Sequence, residues 1–237
     1  MIKALLALLS LAKFGKAGTT LGTMLLSVGV YALQYGWAYA AGLVGLIFCH
    51  EMGHFLAARQ RGLDVGAPTF IPFVGAWIQL KNLPHDVETE AYVGIAGPVV
   101  GTAAALACYF AAGAYRSPFL LSLAYSGLLL NLFNLLPISP LDGGRITAIL
   151  SPRIWLLGVP MLVAVFLWRP SMLLLLVALF ALPQVVAAWR GDFASQRPAG
   201  YYEVPLAKRA EYACWYLGLA ALLAVLCYEV HGELSQR

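Results

Sequence analysis

Between Gly36 and Ala58 the only strongly polar side chains are His50, Glu51 and His54, and no charge occurs from Gly36 to Cys49. Charge returns downstream only at Arg59 and Arg61. About 20 apolar residues suffice for a helix to cross a bilayer core, so this run has spanning length. A helix in water would keep a polar face, and this one has none. Placing an ionisable side chain mid-membrane costs about 2.5–3.5 kcal/mol even on lenient insertion scales. The three polar residues therefore require a chemical reason to be there.

Their spacing supplies one. In His50-Glu51-Met52-Gly53-His54, an H-E-x-x-H pattern, residues four apart share a helix face, so both imidazoles can donate to one Zn²⁺. Glu51 then lies beside the metal as a general base. The competing reading, a polar cluster that only packs helices, leaves an acidic side chain with no basic neighbour in sequence to offset its cost.

The whole chain shares this character, since 61% of its 237 residues are hydrophobic and 11% charged, against about 25% charged in a soluble domain. We read a polytopic membrane protein. The net charge of +4 does not indicate nucleic acid, because the basic residues fall between apolar segments rather than on one face. Cys49, Cys108, Cys214 and Cys227 lie in apolar runs without a C-x-x-C pair and read as small buried hydrophobes. Residues 1–17 are expected to form an interfacial amphipathic segment, with Lys3, Ser10 and Lys13 on one helical face.

Apolar runs at about 18–34, 36–59, 89–114, 118–136, 153–168, 170–189 and 209–230 are candidate spans, giving six or seven crossings. The 153–168 and 170–189 runs, split by Arg169-Pro170, could form a hairpin that crosses only in part. With a cytoplasmic N-terminus, twelve basic residues fall inside and Arg116, Arg169 and Arg237 outside. The helix bearing His50 and His54 would then run outside to inside. The Thr69–Lys81 stretch, β-branched and aromatic with Gly75 near its centre, predicts a short β-hairpin at the interface or lining a cavity. The expected fold is thus all-α and polytopic, with one membrane-associated hairpin.

A catalytic zinc usually takes three protein ligands and keeps one position open. Nine of the eleven acidic residues fall in loops or near span ends, leaving Glu51 and Asp142. Asp142 follows Asn134-Leu-Leu-Pro137-Ile-Ser-Pro140-Leu141 and precedes Gly143-Gly144, where prolines interrupt the helix and glycines permit a close turn. An aspartate before Gly-Gly can also simply cap a turn.

With these residues in view, the chain resembles the site-2 protease family of intramembrane zinc metalloproteases. That family pairs H-E-x-x-H with a later N-x-x-P-x-x-x-L-D-G, matched by Asn134, Pro137, Leu141, Asp142 and Gly143. The resemblance covers roughly 18–150, the expected protease core, with 151–237 as additional C-terminal helices. It implies His50, His54 and Asp142 as zinc ligands, Glu51 as catalytic base and Asn134 as a substrate contact. Ala96-Gly97-Pro98 resembles the family's Gly-Pro element, and the 70–81 hairpin its membrane-associated β-loop. Many relatives carry an asparagine shortly after that Gly-Pro, where this chain has Val99-Val100-Gly101. Relatives often add a PDZ or CBS domain, which this length does not accommodate. Substrate selection is then expected to use the membrane domain or a separate adaptor.

The implied activity is hydrolysis of peptide bonds in or near transmembrane segments of membrane-protein substrates, with one Zn²⁺ per chain. Regulated proteolysis or clearance of signal-peptide remnants, in a bacterial inner membrane with the active-site side cytoplasmic, is the expected setting. A catalytically silent scaffold or chaperone that binds transmembrane helices is the alternative, and a transporter with a structural metal a third reading. His85 and His231 read as surface histidines, and no cofactor besides zinc is expected.

Overall fold

Local chemistry explains where each apolar run starts and stops in the computed structural model, which describes residues 15–72, 75–77, 84–195 and 197–236. Helix α1 (Gly15–Tyr35) turns directly into α2 (Trp37–Gln60) at Gly36, whose φ of 81° lies in the region that favours glycine. Gly62, at φ 73°, ends α2, where the Leu63 N–H reaches back to the Ala58 carbonyl. Helix α3 (Val87–Tyr115) starts on Asp86, whose carboxylate accepts the Thr89 N–H at 2.7 Å. Ser117 caps α4 (Pro118–Asn134), with Pro118 in its first turn. The chain then folds back through 135–141 into the short α5 (Asp142–Thr147). Beyond it come α6 (Trp155–Trp168), α7 (Met172–Arg190) and α8 (Leu206–Ser235).

The protein is mostly helical, as expected. Among the described residues, α2, α3, α7 and α8 are long and apolar enough to cross a membrane. Two predicted runs fold shorter than anticipated. The 118–136 run is a 17-residue helix ending at Asn134, because Pro137 halts it, and the 153–168 run gives the 14-residue α6 after a turn of 3₁₀ helix at Pro152–Ile154. The expected segment 1–17 falls largely outside the described residues.

In the Thr69–Lys81 stretch, β1 (Thr69–Ile71) pairs antiparallel with β2 (Gly75–Trp77), Phe70 opposite Ala76. Residues 73–74 and 78–83 lie outside the description. The edge of β1 away from β2 is taken up by α1: the Phe70 N–H donates to Thr23 Oγ1 at 3.1 Å, and Thr20 Oγ1 donates to the Pro68 carbonyl at 2.6 Å. Phe70 is buried and stacks on Phe48 of α2.

Helices α2, α3 and α4 form the centre of the bundle, and glycines let them touch. A Cβ at Gly53 of α2 would fall on the Ala96 carbonyl of α3, and one at Gly127 of α4 would meet Ala105 at 3.0 Å. Such small-residue contacts suit a membrane interior, where helices gain little from hydrophobic burial and must pack closely instead. Helix α8 closes over α3 and α4 through Leu223, Cys227 and Val230. Helices α6 and α7 pack on the 136–141 turn through Leu162, Leu174 and Val177. Of the four cysteines only Cys227 is buried, and Cys214 is exposed on α8, so the expectation of four buried thiols is corrected; none is in a disulfide. A residue facing lipid satisfies apolar patterning as well as a core residue does.

At the N-terminal end of α3 the loop before α8 is tied down. Glu90 accepts the Tyr201 hydroxyl and, at 3.4 Å, the Arg197 guanidinium, while the Val87 N–H donates to the Tyr201 carbonyl. Burial, and then the neighbouring Glu90, push the Tyr201 hydroxyl above its ordinary range, so it stays a donor at neutral pH.

Candidate metal centre

One turn of α2 and the start of α5 bring three side chains together. His50 Nε2 and His54 Nε2 lie 3.1 Å apart, and Asp142 Oδ2 is 3.1 Å from the first and 3.2 Å from the second. All three residues are buried. Asp142 gets there because the chain doubles back so tightly that only glycine fits after it: a Cβ at Gly143 would collide with the Leu135 carbonyl, and one at Gly144 with the Ser139 backbone. The turn is pinned by the Trp155 indole N–H, which donates to the Gly144 carbonyl at 2.8 Å, and by Tyr216, whose hydroxyl donates to the Leu135 carbonyl. Arg145 Nη1 sits 3.8 Å from Asp142 Oδ1, the oxygen turned away from the histidines.

The hydrogen bonds behind the rings decide what the cluster can hold. His54 Nδ1 is 2.7 Å from the Val93 carbonyl, which can only accept, so Nδ1 carries the proton. His50 Nδ1 is 2.8 Å from Asn131 Oδ1, and the Asn131 amide orientation follows from its Nδ2 donating to the Gly127 carbonyl at 2.7 Å. His50 Nδ1 is therefore a donor as well. Rings held this way turn both Nε2 atoms and a carboxylate oxygen toward one point, an arrangement that fits a cation. Tetrahedral ligands at about 2.0–2.1 Å would stand about 3.3–3.4 Å apart, close to the separations found. Two histidines and a carboxylate also suit zinc chemically. The group can hold one metal ion.

Glu51 is buried one residue beyond His50 and lies within electrostatic reach of both histidines, Asp142 and Arg145. Asn134 is different. It is half-buried and donates to the Leu130 carbonyl of its own helix at 3.1 Å, and no hydrogen bond joins it to the three clustered side chains among the described residues. His85 is exposed, and His231 packs against Tyr125 near the end of α8, both apart from the cluster. Asn131, which contacts His50 directly, had no distinguishing signal in the sequence beyond being an asparagine in an apolar run.

Helix α3 is the wall behind this group, and it is bare where the others lean. A Cβ at Gly97 would fall inside the His54 ring, and one at Gly94 would press on Ile146 and Arg145 of α5 at 3.2 and 3.3 Å. Gly97 clears the space through which His54 reaches Val93, one helical turn away. Gly97→Ala is thus expected to push the ring off that carbonyl and weaken zinc binding by about 10–100-fold, the usual effect of losing a metal ligand's outer partner. Competition against a chelator of known affinity reads this directly. An unchanged affinity would mean the ring tolerates displacement.

Comparison with known proteins agrees with this geometry. Residues 38–119, which hold His50, Glu51, His54 and the Gly97 wall, match Peptidase family M50. A zinc metalloprotease of Methanocaldococcus jannaschii, MJ0392, is 33% identical over 113 residues, covering 45% of this chain and 32% of its own. A protein of Mycobacterium tuberculosis named as the zinc metalloprotease Rip3 is 35% identical over 142 residues, covering 54% and 35%. An Arabidopsis thaliana protein named as the chloroplastic zinc metalloprotease EGY1 is 36% identical over 83 residues, covering 33% and 15%. The chain spans about a third or less of the length of these relatives. Over residues 38–119, about a third of its length, the chain is thus similar to Peptidase family M50, and over longer stretches to proteins named as zinc metalloproteases.

Proposed function

We propose that this protein is an intramembrane zinc metalloprotease that hydrolyses peptide bonds in or near transmembrane segments of membrane-protein substrates. The observation that carries the reading is the convergence of His50 Nε2, His54 Nε2 and Asp142 Oδ2 within apolar helices, with buried Glu51 beside them. His50, His54 and Asp142 would hold the metal. Bound there, zinc supplies a Lewis acid that polarises a carbonyl and acidifies a water to a pKa of about 7. Glu51 accepts the proton released as the peptide carbonyl is attacked and returns it to the leaving amine. Val93 and Asn131 hold the imidazoles in the tautomer that leaves Nε2 free. Burial keeps bulk water from the reacting atoms. Nothing favours the silent scaffold, which would have no use for Glu51.

A helical substrate keeps its carbonyls in hydrogen bonds and must unwind to be cut. An extended segment can be taken up by strand addition on β2, because α1 already occupies the far edge of β1. Asn134 would then meet substrate through its unbonded carbonyl oxygen. We place six or seven crossings in the membrane, the β1–β2 pair at the interface, and residues 18–150 as the protease core with 151–237 as a helical addition. The N-terminus and active-site side are assigned to the cytoplasm of a bacterial inner membrane, on the distribution of the basic residues. Substrates of this kind include membrane-anchored regulators and signal-peptide remnants, reached directly or through an adaptor.

The test is cleavage of a model single-span substrate by purified protein in detergent. Chelation should abolish cleavage and stoichiometric Zn²⁺ should restore it. Cleavage that persists after the metal is stripped would refute the proposal.

A further inference from the structure

Asn131 lies three residues before Asn134 on α4, and it is the better buried of the two at 1% exposure. Both of its polar atoms are engaged: Nδ2 donates to the Gly127 carbonyl, and Oδ1 accepts from His50 Nδ1. It can sit there because of an absence on the facing helix. A Cβ at Gly101 of α3 would land on the Asn131 amide. Gly97 and Gly101 are one turn apart, so α3 leaves one recess for the His54 ring and the next for the group that supports His50.

We infer that Asn131, seated on Gly101, is a positioning residue for the metal centre. It fixes the Nδ1–H tautomer and ring orientation of His50, and thereby sets zinc affinity. The inference rests on the reading of His50, His54 and Asp142 as ligands. An outer hydrogen-bond partner of this kind is worth about 10–100-fold in metal affinity. The roles of the two asparagines on α4 are thus divided, Asn131 supporting a metal ligand and Asn134 meeting substrate.

The experiment measures Zn²⁺ affinity of the full chain in detergent by competition with a chromophoric chelator, together with the visible absorption of the Co²⁺ form. Asn131→Leu keeps the volume and removes the acceptor; affinity should fall about 10–100-fold and the Co²⁺ bands should shift. Asn131→Asp restores an acceptor for Nδ1–H and should return affinity to within a few-fold of the wild type. Gly101→Ala leaves Asn131 in place chemically but displaces it, and should lose affinity as Asn131→Leu does. Gly113→Ala, on the same helix in open space, should change nothing. Wild-type affinity in both Asn131→Leu and Gly101→Ala overturns the inference, as does an Asn131→Asp protein that binds as weakly as Asn131→Leu. A wild-type chain that binds no zinc would sink the ligand assignment itself, which the variants alone would not.

Discussion

Glu51→Gln is expected to lower cleavage of a single-span substrate by about 100- to 10,000-fold, the range a general base contributes, while zinc content stays at the wild-type level. Glutamine keeps the shape of the side chain and its place beside His50, but cannot take a proton. None of the three clustered ligand atoms belongs to Glu51, so the metal has no reason to leave. Turnover of a quantified, zinc-loaded variant against the wild type measures this. Equal rates would remove Glu51 from the mechanism, and loss of zinc together with activity would make it a ligand rather than a base.

Asp142→Ala acts on the other quantity. It removes one of three converging donor atoms and strands Arg145, whose guanidinium lies 3.8 Å from the carboxylate. Zinc affinity should fall by more than the roughly 100-fold upper range for an outer partner, and cleavage should disappear with the metal. Metal analysis after dialysis, and titration against a chelator, give the result. Full zinc retention would move the third ligand to another acidic residue and place the chain in a different class of H-E-x-x-H enzyme. The two variants therefore separate metal holding from proton transfer: one loses turnover with zinc present, the other loses zinc.

The pairing of His50 with His54 and the turn that carries Asp142 were legible because each is local, whereas the meeting of the two, 88 positions apart, was implied only by the resemblance of both motifs to a known family. The i,i+4 spacing sets the two imidazoles on one face, and Pro137, Pro140 and the Gly143-Gly144 pair reverse the chain within a few residues. The helical, membrane-embedded character was legible for a similar reason, since apolar runs of this length have few alternatives in lipid. Element lengths were less so. Pro137 foretells that α4 must stop, but not that it stops at Asn134, two residues before the apolar run ends. As an asparagine in an apolar run, Asn131 was open to a hydrogen bond across a helix interface, but its partner was hidden. Its importance comes from a glycine thirty positions away on another helix, a long-range coincidence that no local pattern encodes.

The bare positions of α3 also bear on timing. Gly94, Gly97 and Gly101 receive α5, His54 and Asn131 only when α3 has its native rotation against α2 and α4; turned by one residue, it would present Ile95, Pro98 or Thr102 to those neighbours. A newly inserted chain whose helices have not yet docked has loose imidazoles, no reversed turn and no reason to retain metal. On the proposed function, hydrolytic capacity would then arrive together with the assembled bundle, and a half-built copy would be harmless to the proteins around it.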